Sequence, residues 1–449
     1  MNRLLGRMVD WTEAASKGLH PAQVAGLGYL AYTLLGWLLL CLPFAQKLPE
    51  GIPAIDNLFI ATSAVSTTGL VTVSVVDSYN AFGQVVVLML IQLGGLGYMT
   101  FGSFVILSTK GGLSAERSRV GRTVFSLPES FRIDKFIRSV VVFTVVIEAA
   151  GALALYAVFR RADAATPLWS AVFHSVSAFC TAGFSLYDTS FEAFAGDFWL
   201  NLVISALSYC GAIGFIVWVD YWRKLTGKVQ QVTLTSRIIL WMSLWLTVVS
   251  TFMIFVGEPS LDAKPVEDKL LESFFQAMTA MTTVGFNTIP TASLSSATLL
   301  VIIALMIIGA SPSGTGGGVK STTVSALIGV MRSTLRGDAE VRFRKKVVPR
   351  ARVWTATANM GFYMLMLLVG TYLLELTQRA GFVENIFEAA SALGTVGLSM
   401  GITASLSGLG KLVVILLMFC GRLGPLTFGM ALFFKSHKGS EASDNDLAV

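Results

Sequence analysis

Phe59-Ile60-Ala61-Thr62-Ser63-Ala64-Val65-Ser66-Thr67-Thr68-Gly69-Leu70 is a short apolar helix pattern that runs into hydroxyl residues and stops on a glycine. The pattern returns three times, ending on Gly183, Gly285 and Gly397, at separations of 114, 102 and 112 residues. Ten residues before each glycine stand Phe59, Phe173, Phe275 and Phe387; six before stand Ser63, Ser177, Thr279 and Ser391. Five before, all four copies have alanine, and two before they have Thr67, Thr181, Thr283 and Thr395. A repeat of this length signals a repeated structural unit.

Outward from each copy lie apolar runs long enough to cross a bilayer, which takes roughly 20 residues. The expected spans are 22–45, 82–108, 137–159, 198–222, 236–257, 295–333 (interrupted), 353–375 and 410–434. Each motif falls between two of them and is too short to cross. Non-helical backbone at membrane depth survives only where protein or a water-filled path satisfies its polar groups. The unit is therefore span, re-entrant pore helix, glycine loop, span, and the fold class is an all-α polytopic membrane protein with four pseudo-repeats around one central pore. The expected divisions are an N-terminal segment 1–21, repeats at 22–108, 137–222, 236–335 and 353–434, a connection 109–136, and a tail 435–449. A chain 54% hydrophobic and 13% charged agrees, because soluble chains carry about 25% charged residues.

The net charge of +6 is unevenly placed. Residues 109–138 hold seven bases against three acids, 223–237 hold Arg223, Lys224, Lys228 and Arg237 with no acid, and 332–352 hold eight bases against Asp338 and Glu340. The alternate connections lean acidic: 257–272 holds five acids and two lysines. Basic loops stay in the cytoplasm, so both termini are expected there. The positive balance reports topology and gives no reason to expect nucleic acid.

The loops Ser66-Thr67-Thr68-Gly69, Cys180-Thr181-Ala182-Gly183, Thr282-Thr283-Val284-Gly285 and Gly394-Thr395-Val396-Gly397 can bind a dehydrated alkali cation. Backbone carbonyls supply dipoles without full charge, so an ion can bind and still leave. Each pore helix enters its loop by its C-terminal end, which carries about half a negative charge. No loop contains a carboxylate, which argues against a divalent-ion pore. Glycines that merely allow close helix packing would not require a threonine two residues earlier in every copy.

Two further features interrupt apolar runs. Gly309, Ser311, Ser313, Gly314, Thr315, Gly316, Gly317, Gly318 and Lys320 cluster around Pro312 in the sixth span. Val319 between Gly318 and Lys320, and the lack of a preceding strand, exclude a nucleotide-binding phosphate loop. A helix broken at mid-membrane is expected, able to gate a filter above it. Arg422 lies inside the last span, where an arginine costs about 2.5–3.5 kcal/mol and must find a partner; Glu148 is the candidate. Its functional reading is an electrostatic barrier below the filter. Cys41, Cys180, Cys210 and Cys420 form no CxxC pair and read as packing residues. No paired carboxylates, nucleophile–base set or metal spacing suggests an enzyme.

At these motifs the chain resembles the Trk/Ktr/HKT superfamily of potassium transporters over about 20–435, and looks most like the Ktr-type membrane subunit. The resemblance implies that the four glycine loops are filters, that 309–320 is an intramembrane gating loop, and that Arg422 lines the pore. It implies K+ as transported ion, with Na+ as a further candidate and no organic cofactor in this chain. It also implies a homodimer with one pore per chain, a separate cytoplasmic nucleotide-binding regulatory ring, and a place in the bacterial inner membrane. Gly69, where sodium-admitting members carry serine, favours potassium; Cys180 and Gly394 depart from the usual residue three before the glycine. The alternative reading is a sodium-permeable or sodium-coupled cation transporter, and behind it a secondary transporter of another solute.

Overall fold

The computed structural model describes residues 20–47, 50–97, 133–338, 340–343 and 346–433. In chain order the helices of more than four residues are α1 (Pro21–Leu40), α2 (Ala54–Ser66), α3 (Ala81–Leu96), α4 (Ile133–Arg161), α5 (Pro167–Phe179), α6 (Phe198–Ala212), α7 (Phe215–Leu225) and α8 (Leu234–Gly257). They continue with α9 (Val266–Thr282), α10 (Ser296–Ile308), α11 (Ser321–Leu335), α12 (Arg350–Thr377), α13 (Phe382–Gly394), α14 (Gly408–Leu423) and α15 (Pro425–Phe433). Between α11 and α12, two-residue strands β1 (Arg342–Phe343) and β2 (Lys346–Val347) pair antiparallel, Arg342 opposite Val347.

Four of these helices, α1, α4, α8 and α12, are long and apolar enough to cross a membrane. They match the expected first span of each unit. Their outward faces carry exposed apolar side chains, among them Leu38, Leu153, Phe252 and Leu376. α1 ends at Leu40, short of the expected 45, because the following Pro43 cannot extend it. Its start is fixed by a capping box: Gln23 Oε1 accepts from His20 N at 3.0 Å, and His20 Nδ1 accepts from Ala22 N at 3.3 Å.

The second spans differ from expectation. Run 198–222 divides into α6 and α7, bent by 91°, and run 410–434 into α14 and α15, bent by 97°. Run 295–333 divides into α10 and α11, as Pro312 and its glycines suggest. α3 ends at Gly97, and residues 98–108 of its expected span lie outside the described residues. So do most of 1–21 and 109–136 and all of 435–449. α3, α6, α10 and α14 each start on a short polar cap, Asn80, Asp197, Ser295 or Ser407, whose side chain accepts a first-turn N–H.

The short helices α2, α5, α9 and α13 are the repeated motifs. Their inner faces are fully buried, with Phe59, Phe173, Phe275 and Phe387 each 0% exposed. α3 packs on α5, α6 on α9, α10 on α13, and α14 back on α2. The chain thus closes a ring of four short helices, each wedged against the second helix of the preceding unit.

Candidate functional site

All four short helices end in the same way. Thr67, Thr181, Thr283 and Thr395 take the left-handed conformation, with φ of 54, 51, 59 and 49°. Each threonine N–H bonds the carbonyl three residues back: Ala64, Ala178, Ala280 or Ala392. The next N–H reaches five back, Thr68 to Ser63 at 2.8 Å and its three counterparts at 2.8–3.1 Å. This is a Schellman termination with a β-branched residue in the place usually given to glycine. Such a conformation costs about 1–3 kcal/mol and persists only where its surroundings dictate it.

Two residues later, Gly69, Gly183, Gly285 and Gly397 again have positive φ, of 94, 65, 81 and 94°. A Cβ added to Gly69 would strike the Ala182 carbonyl oxygen; on Gly183 it would strike Val284 O, on Gly285 Val396 O, and on Gly397 Thr68 O. The same added atoms would lie 3.1–3.3 Å from the Cα of the next glycine in the cycle. The loops therefore meet glycine to glycine in the order first, second, third, fourth and back to first. Only a residue without a side chain fits both the angle and the space. The residues that follow the glycines line a cavity of about 610 Å3 whose wall carries Asp77, Asp188 and Glu192.

Against the threonine side of this ring lies the loop between α10 and α11. Thr67 Oγ1 donates to Thr315 O at 3.5 Å, and Thr181 Oγ1 pairs with Thr315 Oγ1 at 3.1 Å. Gly317 N donates to Thr283 Oγ1 at 3.2 Å. A Cβ on Gly317 would run into Thr395 Oγ1. Thr315–Gly317 thus touches all four repeated threonines. The loop is itself well anchored: Thr315 N donates to Gly211 O, Ser311 N to Ala212 O, and Gly317 O accepts from Ala310 N, each within 3.1 Å. Ser311 Oγ meets Ser321 Oγ at 3.0 Å, Ser313 O accepts from Phe215 N at 3.1 Å, and Lys320 Nζ donates to Gly316 O at 2.7 Å. Gly309 and Gly318 pack backbone to backbone at the loop's neck, and Gly314 against the Ala212 carbonyl.

Arg422, near the end of α14, reaches the same place. Its guanidinium donates to Thr67 Oγ1 at 3.0 Å, to Thr315 O, and to the carbonyls of Gly94 and Gly95.

The sequence model of a family described as TrkH, cation transport protein, matches residues 44–443. The chain belongs to this family. It is 33% identical over 413 residues to the Ktr system potassium uptake protein B of Bacillus subtilis, covering 91% of this chain and 92% of that one. It is 33% identical over 430 residues to the potassium/sodium uptake protein NtpJ of Enterococcus hirae, covering 94% and 95%. The crystal structure of the potassium transporter TrkH from Vibrio parahaemolyticus shares the fold, with a TM-score of 0.68 at 21% identity over 90% of this chain and 84% of that one. Membership makes this a multi-pass membrane transport protein and not an enzyme.

In this TrkH-family chain the expected pairing of Arg422 with Glu148 is not found: among the described residues no ion pair joins them. Glu148 Oε1 lies 3.8 Å from Cys180 Sγ, which is also 3.9 Å from Gln92 Oε1. Arg422 turns to carbonyls because α3 ends at Gly97: the last-turn carbonyls of Gly94, which also accepts from Gly97 N at 3.1 Å, and Gly95 are not closed off by a following turn. A guanidinium beside a helix C-terminus satisfies them and meets the negative end of the helix dipole.

A second set of glycines escaped the sequence reading. The second helices break at Gly97, Gly214, Gly309 and Gly424, all at positive φ. Three residues earlier, a Cβ on Gly94, Gly211 or Gly421 would strike the carbonyl of Val65, Phe179 or Leu393. The signal was present as Gly-x-[Leu/Ile]-Gly in three copies, Gly94–Gly97, Gly211–Gly214 and Gly421–Gly424. Uniform hydropathy across those runs hid it.

Proposed function

We propose that the chain carries potassium ions into the cell through a filter built from Ser66–Leu70, Cys180–Phe184, Thr282–Phe286 and Gly394–Leu398. The closed glycine ring is the observation that carries this reading. In each loop two left-handed residues free the intervening carbonyls from helical bonding, and four such loops around one axis offer an ion dipoles in place of water. Four helix C-termini converging on the ring favour a cation, and loops without carboxylates favour a monovalent one. The names of the relatives, potassium uptake protein B and potassium/sodium uptake protein, support potassium as the cargo.

Thr315–Gly317 and Arg422 restrict passage at the inner end of the filter. The units 22–108, 137–222, 236–335 and 353–434 surround one pore, with both termini in the cytoplasm and the chain in the bacterial inner membrane. A second copy of the chain and a cytoplasmic nucleotide-binding ring complete the transporter, the ring acting on the basic cytoplasmic loops. The membrane potential supplies the driving force, about 2.3 kcal/mol per charge per 100 mV.

A second reading, passage of or coupling to sodium, draws support from the Enterococcus hirae relative, named for both ions. The test is potassium uptake by cells lacking their own uptake systems and expressing this chain, at sub-millimolar potassium with sodium varied. Saturable uptake that prefers potassium supports the first reading; uptake that requires sodium supports the second. Failure in verified membranes, both alone and with a co-expressed ring subunit, overturns both.

A further inference from the structure

The four pore helices differ at one buried position, nine residues before each filter glycine: Ile60, His174, Gln276 and Glu388. Each is 0% exposed, and two of them, His174 and Glu388, hydrogen-bond through both of their side-chain polar atoms. Glu388 accepts from Ser399 Oγ at 2.8 Å and from Thr403 Oγ1. Ser399 Oγ also lies 2.9 Å from Thr403 Oγ1 and accepts from Gly401 N at 3.0 Å. One buried carboxylate therefore organises the outer limb that leaves Gly397.

His174 does the same opposite it. Its Nε2 accepts from Leu186 N at 3.2 Å and faces Ser185 Oγ at 3.0 Å, while Nδ1 meets Ser170 O at 2.7 Å. An amide can only donate, so Nε2 is the acceptor and Nδ1 carries the hydrogen. Ser185 and Ser399 are equivalent, each two residues after its glycine.

The other two units lack this strut. Ile60 and Val71, the matching pair in the first unit, have no side-chain polar group. Gln276 in the third is buried with both amide atoms unpartnered. Its counterpart Asn287 turns sideways, donating from Nδ2 to Glu192 at 2.7 Å, while its carbonyl accepts from Phe191 N at 3.0 Å. In the first unit Ser74 Oγ donates to Asp188 Oδ1 at 2.6 Å. The outer limbs of units one and three thus lean on the loop of unit two, which His174 holds, while unit four is held by Glu388.

We infer that Glu388 and His174 are positioning residues for cation selection, struts from two opposite pore helices that fix the outer limbs of the filter. The inference rests on the filter reading above. A carbonyl cage discriminates between ions by the number and placement of its dipoles. The limb after each glycine sets where that glycine's carbonyl sits. Two struts on opposite sides fix the ring; without one, the cage can adapt to a smaller ion.

The test uses the full-length protein in two assays: the ratio of rubidium to sodium tracer flux in proteoliposomes, and the rise in melting temperature when potassium replaces choline. E388A and H174L should each lower the flux ratio about tenfold, the change expected when a hydrogen bond to a charged or buried group is lost. Each should also shrink the potassium-dependent rise in melting temperature. E388Q, which keeps one acceptor oxygen, should recover part of both. A purely structural role would lower melting equally in both salts and leave the flux ratio alone, and that result overturns the inference. If E388A does not fold, T403V and S399A remove the donors from the other side of its strut, and if H174L does not fold, S185A removes the hydroxyl facing Nε2; each decides the matter by the same readouts. A wild-type protein with neither rubidium preference nor a potassium-dependent rise would overturn the filter reading itself.

Discussion

Arg422 Nη1 donates to the Thr67 hydroxyl at 3.0 Å, tying the end of α14 to the residue that terminates α2. The same nitrogen reaches Thr315 O. One side chain therefore joins the first glycine loop to the loop beneath the ring, and Nη2 joins both to α3 through Gly94 and Gly95. On the proposed reading, a cation leaving the filter inward would meet this fixed positive charge and the loop it holds in place.

Removing the guanidinium should open this path. R422A is expected to raise flux through the purified protein about tenfold or more, since a hydrogen bond from a charged group contributes roughly 1.5–3 kcal/mol. R422K should recover little of the restraint, because an ammonium cannot reproduce the fork that spans Thr67, Thr315 and Gly94. Tracer flux in proteoliposomes measures both, and wild-type flux in R422A would remove Arg422 from the barrier.

The ring makes a sharper demand at its glycines. Gly69 has φ of 94°, and its missing Cβ would occupy the space of the Ala182 carbonyl oxygen. G69A must therefore displace the neighbouring loop as well as strain its own. Rubidium over sodium discrimination should fall by more than about tenfold, since the left-handed angle alone costs an L-residue roughly 1–2 kcal/mol. G196A, at a glycine with open space around it, should leave discrimination unchanged. Equal behaviour of the two variants would refute the filter assignment.

Much of this was legible because the chain writes it four times. Thr67 and Gly69 stand out only when aligned with their three counterparts, and the structure gives all eight residues positive φ, 49–59° at the threonines and 65–94° at the glycines. The bends at Gly214 and Gly424 were not legible from hydropathy, since an apolar run reads the same whether or not its helix turns by 90°. The partner of Arg422 was misjudged for a related reason. Sequence offers Glu148 as the obvious counter-charge, whereas the last-turn carbonyls of a helix that ends at Gly97 come into view only once that end is known. The hydroxyl column at Ser63 and Ser391 was visible, but its task was not: these side chains accept from Gly69 N and Gly397 N at 3.1 and 3.0 Å.

The loop beneath the ring can be separated from the ring itself. Gly317 packs so closely under the fourth unit that a Cβ would collide with Thr395 Oγ1 and crowd Gly394 O. G317A should push Thr315–Gly317 away from the threonines and raise flux. Its rubidium to sodium ratio should stay within about twofold of wild type, because a loop shift of this kind leaves each Gly carbonyl and its backbone angles in place. Loss of discrimination in G317A as severe as in G69A would mean that the loop belongs to the filter and is not a separate barrier.

Acid sensitivity should concentrate at a joint outside the spans. Glu258, just past α8, is 1% exposed, and burial acts to raise its carboxyl. The N–H groups of Ser295 at 2.9 Å and Ser260 at 3.2 Å outweigh that and hold it below the usual glutamate range. The unfolded chain, with a glutamate near 4.3, therefore takes up the proton first as pH falls. The contribution of Glu258 is complete at neutral pH and is lost as pH falls through its lower folded value. E258Q should reduce stability by about 1 kcal/mol at neutral pH, the usual net worth of such a hydrogen bond. The gap in melting temperature between wild type and E258Q should hold steady from neutral pH to about pH 5 and close toward about pH 3. A gap that widened with acid would mean that the Glu258 carboxyl is protonated in the folded protein and that the Ser295 contact does not depend on its charge.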